Sequence, residues 1–180
     1  MSQIKVNSII PVSGVPTGGG GGIIQIKQTV ISDVKSYTAS AYVWTDMPGF
    51  NATITPTSSS SKIMILVGIG AIHQEGGTLI GKVLRGSTDI GVGDADGNRQ
   101  RCGFRMFGAD VLNANHCGSY HYTFMDSPAT TSATTYKLQI SGASNTSYPI
   151  YLNRAINDAN SNDNFRGRSI STLTLMEVSA

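Results

Sequence analysis

Charge is what this sequence has least of. Charged residues occupy 13% of the 180 positions, about half of the usual ~25%. Glutamate occurs only at Glu75 and Glu177. Glycan hydrolysis needs two acids facing each other across a groove, and Asp94 and Asp96 are near neighbours on one stretch without an evident partner. No G-x-S-x-G elbow is present. The glycines at 18–22 run into Ile23-Ile24 rather than a Lys-Ser or Lys-Thr pair opening a helix, so they do not make a phosphate loop. Neither an enzyme nor a bound cofactor is expected.

A basic stripe is lacking too. Formal net charge is +2, with lysine and arginine scattered. Arg99, Arg101 and Arg105 come closest to a cluster but are mixed with polar residues and read as charges on a strand rim. Offsetting phosphate charge takes more than this, so nucleic acid is not an expected partner. No apolar run approaches the ~20 residues of a membrane span, and no membrane insertion is expected. The opening Met1-Ser2-Gln3-Ile4-Lys5 has no apolar signal core. Action outside a cell would therefore follow release by lysis or another signal-free route.

Cysteine is limited to Cys102 and Cys117. A hairpin turning at Gly108-Ala109-Asp110 would set them opposite each other. A bridge closing a loop of about 15 residues would then stabilise by roughly 3 kcal/mol. The preferred reading is two free buried thiols in a chain folded in a reducing cytoplasm.

Metal-ligand patterns are incomplete. Asp94-Ala95-Asp96-Gly97-Asn98 opens like a calcium loop, but Arg99 and Arg105 stand where Gly and Glu are needed. The stretch from Asp158 to Asp163 fails in the same way, with Ser169 at the last position. Both read as polar loops with Asx turns. His116 and His121 are five apart and fall on opposite faces of a continuous strand, so a Cys/His zinc site is not expected. His73 reads as a rim residue.

What fills the gap is glycine, 21 residues of it, with abundant Ser, Thr and Asn. A polar, weakly charged surface suits extracellular and virion proteins better than intracellular enzymes. Residues 1–17 hold Ile4, Val6, Ile9, Ile10 and Val12, interrupted by Pro11, Gly14 and Pro16. The prolines exclude a helix. The stretch is too apolar for a free tail and too short for a core, so it reads as an extended arm bound to another surface. Gly18 to Gly22 is a flexible hinge.

From Ile23 the pattern turns to strands. Ile24, Ile26 and Gln28 alternate with Ile23, Gln25 and Lys27. Lys62 to Ile72 is the strongest strand. Ile63, Ile65, Val67 and Ile69 take one face, Met64, Leu66 and Gly68 the other, so it is expected to be central and covered on both sides. A lone sandwich buries one face of each sheet, so the second face predicts a neighbouring copy around a threefold axis. Further strands are expected at Phe50–Thr55, Leu79–Leu84, Gly103–Phe107, Ser119–Phe124, Thr135–Ile140, Pro149–Asn153 and Ser169–Val178. Turn clusters recur about every ten residues, as in a sandwich or jelly roll. The fold class is thus all-β: a jelly-roll-like antiparallel β-sandwich over 23–180, preceded by an extended arm.

In order along the chain, Gly18–Gln25, Ile54-Thr55-Pro56-Thr57 through Ile63, Leu84–Asp94, Asp126–Tyr136, Tyr151-Leu152-Asn153-Arg154 and Thr172–Glu177 resemble a family of small fibre-like structural proteins of marine and cyanobacterial tailed phages. The resemblance implies a β-sandwich head, usually trimeric, on an N-terminal virion anchor. It supplies no catalytic residues. The leading expectation is a tail fibre or tip that meets the host surface. The alternative is a head fibre or decoration protein on the capsid, and a glycan-degrading enzyme is least favoured. The expected location is the virion, assembled in the host cytoplasm. Expected partners are further copies of the chain in a homotrimer, other virion proteins bound through Ile4, Val6, Ile9, Ile10 and Val12, and a host surface glycan. The glycan would meet loop residues His116, Tyr120, Asn157, Asp158, Asn160, Asn162 and Asn164.

Overall fold

The computed structural model describes residues 22–74, 78–107, 115, 117–142 and 148–179. Among the described residues eleven strands form and no α-helix occurs. They are β1 (Ile23–Ile31), β2 (Lys35–Ala39), β3 (Thr45–Ile54), β4 (Lys62–Gln74), β5 (Thr78–Arg85), β6 (Thr88–Ile90), β7 (Phe104–Phe107), β8 (Gly118–Asp126), β9 (Thr134–Gly142), β10 (Tyr148–Leu152) and β11 (Ser171–Val178).

Every ladder between these strands is antiparallel. In the first sheet β1 pairs β11, β11 pairs β4 and β4 pairs β8. In the second, β3 pairs β9, β9 pairs β5, and β5 carries β6 and β7 along its other edge. Following β1, β3, β4, β5, β7, β8, β9 and β11, the chain changes sheets at every step except β5 to β7. That is the path of a jelly roll, and the expected fold class holds. Two further strands, β2 and β10, pair with each other and extend the first sheet beside the end of β4.

The inner faces meet in one core. Ile63, Ile65, Val67 and Ile69 of β4 and Leu173 and Leu175 of β11 pack against Phe50, Val83, Leu138 and Ile140 of the opposite sheet. One lateral edge is sealed by rings: Phe104 stacks on Tyr122 at 5.1 Å and Tyr122 meets Phe124 at 5.0 Å. Two glycines make room for them. A Cβ at Gly81 would lie 2.3 Å from the Phe104 ring, and one at Gly91, itself at φ +59°, would lie 2.7 Å from Phe124.

Three buried polar residues tie the ends of the sandwich. Asn153, at φ +62°, donates from Nδ2 to the carbonyls of Ile31 (2.8 Å) and Asp33 (3.0 Å), and its Oδ1 accepts from Ser171 Oγ at 2.6 Å. Asp126 accepts from Arg85 Nη1 at 2.8 Å and from the Tyr136 hydroxyl at 2.7 Å. Glu177 accepts from Thr57 N and Oγ1, both at 2.7 Å, and from Gln25 Nε2 at 2.6 Å. The two carboxylates flank Ile63 in one cross-strand row and close the end where β4 begins.

Glu177 links the fold to pH. Burial pushes its carboxyl up, but the hydrogen bonds from Gln25 and Thr57 outweigh burial and hold it below the usual carboxylate range. A group depressed in the folded state stabilises above its unfolded pKa, and that contribution disappears as pH falls through the folded value. Melting temperature is therefore expected to drop on acidification below the usual carboxylate range. Glu177→Gln should flatten part of that acid limb in a pH series of thermal melts, and an unchanged limb would refute the assignment.

Candidate assembly face and distal loop

Residues opposite each other across a ladder point to the same side of the sheet. The registers of β1, β11, β4 and β8 therefore define rows across the outer face of the first sheet. One row reads Ile26, Met176, Met64, Met125; the next reads Gln28, Thr174, Leu66, Thr123; the third reads Val30, Thr172, Gly68, His121. Ile23, Val178 and Lys62 head the face. Strict alternation would put Ile23 and Ile26 on opposite sides. A bulge at Ile24 adds one residue to β1 and brings both outward, where they are 56% and 54% exposed.

Five of the exposed large apolar side chains belong to this face and its margin: Ile23, Ile26, Val30, Met125 and Ile170. Met64, Leu66 and Met176 are half-buried beside them. At about 4.8 Å per strand and about 3.4 Å per residue, the four strands present roughly 500 Å². The apolar part of this face is concentrated in the row of Ile26, Met176, Met64 and Met125 with Ile23, Val178 and Leu66 beside it, while Gln28, Thr123, Thr172 and Thr174 make the rest polar but uncharged. The face carries Lys62 at one corner and His121 near the opposite end, and no acid in its rows.

The outer face of the second sheet is built differently. Asp46 pairs with Lys137 at 2.8 Å and accepts from Gln139 at 2.7 Å. Lys82 pairs with Asp89 at 2.8 Å and lies 4.3 Å from the centre of the Trp44 ring. Arg105 projects from β7 beside Ile80. Charges there are interspersed, as water-facing sheets require. β4 is central, as expected, but its second face is open in the single chain rather than covered.

The two ends of the sandwich differ as well. Gly22 and Ser179 are hydrogen-bonded at the end where β4 begins, which places the first described residue at a corner of this outer face. At the opposite pole β1 ends, β8 and β11 begin, and residues 153–170 form a long loop between β10 and β11.

That loop is internally tied. Asp158 pairs with Arg154 at 3.6 Å and with Arg168 at 2.5 Å. Arg154 also donates to Ser36 Oγ at 3.0 Å and lies over the Tyr151 ring at 4.3 Å. Asp163 caps a single 3-10 turn, Asn164–Arg166, by accepting from Phe165 N at 3.2 Å, and pairs with Arg166. Ser161 Oγ donates to Asp163 and accepts from Arg166, both at 2.6 Å. Asp158 and Asp163, which resemble calcium ligands in the sequence, are thus engaged by arginines. Asp96 is likewise paired with Arg99 at 2.7 Å. No group of three potential acid, His or Cys metal ligands occurs among the described residues.

The predicted site residues fall in several places. Ile4, Val6, Ile9, Ile10, Val12, the glycines at 18–21 and His116 lie outside the described residues. Asn157, Asp158, Asn160, Asn162 and Asn164 share the 153–170 loop, and all but the half-buried Asn157 are exposed. Tyr120 is not a loop-tip residue: it lies on β8 with its ring packed against the core. Sequence reasoning missed Phe165, which is 63% exposed in the midst of the asparagines. The hairpin proposed for the cysteines does not form, because β7 and β8 belong to different sheets. Both thiols are free, and neither is buried: Cys102 is half-buried and Cys117 exposed.

No family model and no curated protein matches the chain. Among solved structures, a chain from the structure of infectious bursal disease virus, Gx strain, aligns over 94% of this chain and 45% of its own length, with 13% identity and a TM-score of 0.38. This chain thus spans less than half the length of that one.

Proposed function

We propose that the chain is a non-enzymatic structural module of a bacteriophage particle, a homotrimeric jelly-roll head mounted through residues 1–17 and turned outward to a host surface. The observation that carries this reading is the nearly charge-free outer face of β1, β11, β4 and β8, with its row of Ile26, Met176, Met64 and Met125 and with Gly22, the first described residue, at its corner. Near a symmetry axis each side chain meets its own copies, so a charge there would face a like charge. A nearly uncharged face suits self-association close to the axis, where a charge would meet its like; away from the axis unlike residues meet and complementary charges are tolerated. Cyclic association about an axis along the strands would gather the Gly22 ends at one pole and present all the 153–170 loops at the other. The threefold order follows the sequence resemblance to phage fibre-like proteins, as does the tail location.

The arm is the mount. Ile4, Val6, Ile9, Ile10 and Val12 would each gain roughly 1.5–3 kcal/mol on full burial, which calls for a docking surface. A chain beginning at Ile23 is expected to fold and trimerise with a nearly unchanged melting temperature, yet to fail to join particles in a complementation assay. Incorporation of the shortened chain would move the anchor elsewhere, and failure to fold would make the arm a strand of the head. Labelled full-length protein on intact particles separates a tail position from a capsid position.

A further inference from the structure

We propose that Phe165, with Asn160, Asn162 and Asn164, is a contact surface for a neutral polysaccharide. The inference rests on the reading of the loop pole as the displayed end. Connections longer than about 12–15 residues without regular structure are uncommon in compact domains, and those that are ordered usually serve a function. Residues 153–170 contain only the 3-10 turn Asn164–Arg166, yet they are held by Asn153 at the base, by Asp158 between Arg154 and Arg168, and by Asp163 at the turn. The network draws the charged groups together within the loop: Asp158 meets two guanidinium groups and Asp163 a third. What the loop offers outward is a phenyl ring, 63% exposed, among exposed amide side chains, with the half-exposed Arg168 held against Asp158.

This chemistry selects the partner. A phenyl ring in water gains by covering an apolar face, and the C–H face of a pyranose ring is flat, apolar and close to its size. Amides both donate and accept, matching sugar hydroxyls. A sugar carboxylate or sulfate would call for a free cation beside the ring; each arginine of this loop is held by an aspartate, Arg154 and Arg168 sharing Asp158, and the polyuronate arm of the test reads the one positive charge left over. The ring's backbone is fixed by the capped turn, so little ordering entropy is lost on contact. A single such contact is weak; three on one trimer reinforce each other on a repeating polymer.

The test uses the full-length chain on surfaces coated with a glucan, a galactan, a mannan, a polyuronate or casein. The unmodified protein is expected to be retained on at least one neutral polymer. Phe165→Ala should reduce that retention about tenfold or more, through loss of stacking multiplied over the assembled sites. Phe165→Trp should keep it, and the triple change of Asn160, Asn162 and Asn164 to Ala should weaken it. Melting temperature and assembled mass should not move in any of these, because the side chains are exposed. Equal retention of Phe165→Ala overturns the proposal, as does binding only to the polyuronate, binding only to casein, or binding to none of the coatings. Failure of the particle-joining experiment with polysaccharide binding intact would instead strike the mounting role and leave this surface standing.

Discussion

Sedimentation of the double variant Met64→Glu, Met176→Glu should give the mass of a single chain, while its circular dichroism keeps the β signature of the unmodified protein. Both side chains are half-buried on the outer face and adjacent in one cross-strand row. Glutamate there reaches water in the isolated chain, so the fold of each head survives. In an assembly that buries this face, the same carboxylates lose water and meet their symmetry copies. Two like charges about 4 Å apart repel by roughly 4 kcal/mol at an effective dielectric of 20, and desolvation adds several more. Melting temperature is expected to fall, since association no longer stabilises the folded chain. The matched control is Arg105→Glu with Lys137→Glu on the other sheet, where association should persist. A double variant at Met64 and Met176 that retains the parental mass would show that the face is not the interface.

Ile65→Asp is expected to abolish folding. Ile65 is 0% exposed, and its register neighbours are Leu175 and Phe124. Truncating a buried isoleucine costs about 2–5 kcal/mol. The aspartate adds an unpaired polar or charged group in the core, whose burial costs several kcal/mol more. The total is comparable to the ~5–15 kcal/mol net stability of an ordinary domain. The variant should be insoluble or lack near-ultraviolet dichroism, whereas Ile65→Val should lose only about 0.5–1.5 kcal/mol in urea titration. A soluble, cooperatively melting Ile65→Asp protein would contradict the core described above.

The contrast between those two variants shows what could be read from the sequence. The two faces of β4 are distinguishable in the alternation of Ile63, Ile65, Val67 and Ile69 with Met64, Leu66 and Gly68. β8, β9 and β11 are legible for the same reason, since each has one apolar and one wetter face. The strands β2 and β6 are not, because β2 is polar and short and β6 has three residues. The bulge at Ile24 leaves no sequence mark, yet it decides that Ile23 joins the exposed face. The row of Met64, Met125 and Met176 exists only through the jelly-roll path, which makes neighbours of strands far apart in the chain. The same path defeated the cysteine hairpin, because the chain crosses between sheets after β7. Alternation with Tyr122 and Phe124 already hinted that Tyr120 faces inward. Phe165 carried no periodic signal, being a single ring in a polar stretch, and became visible only through its exposure on a tied loop.

The central claim is that the nearly uncharged outer face of β1, β11, β4 and β8 is buried between copies of the chain. Light scattering of the full-length protein at micromolar concentration tests it most directly. A mass three times that of the 19.0 kDa chain is the predicted result, whereas a particle of 19.0 kDa would contradict the account.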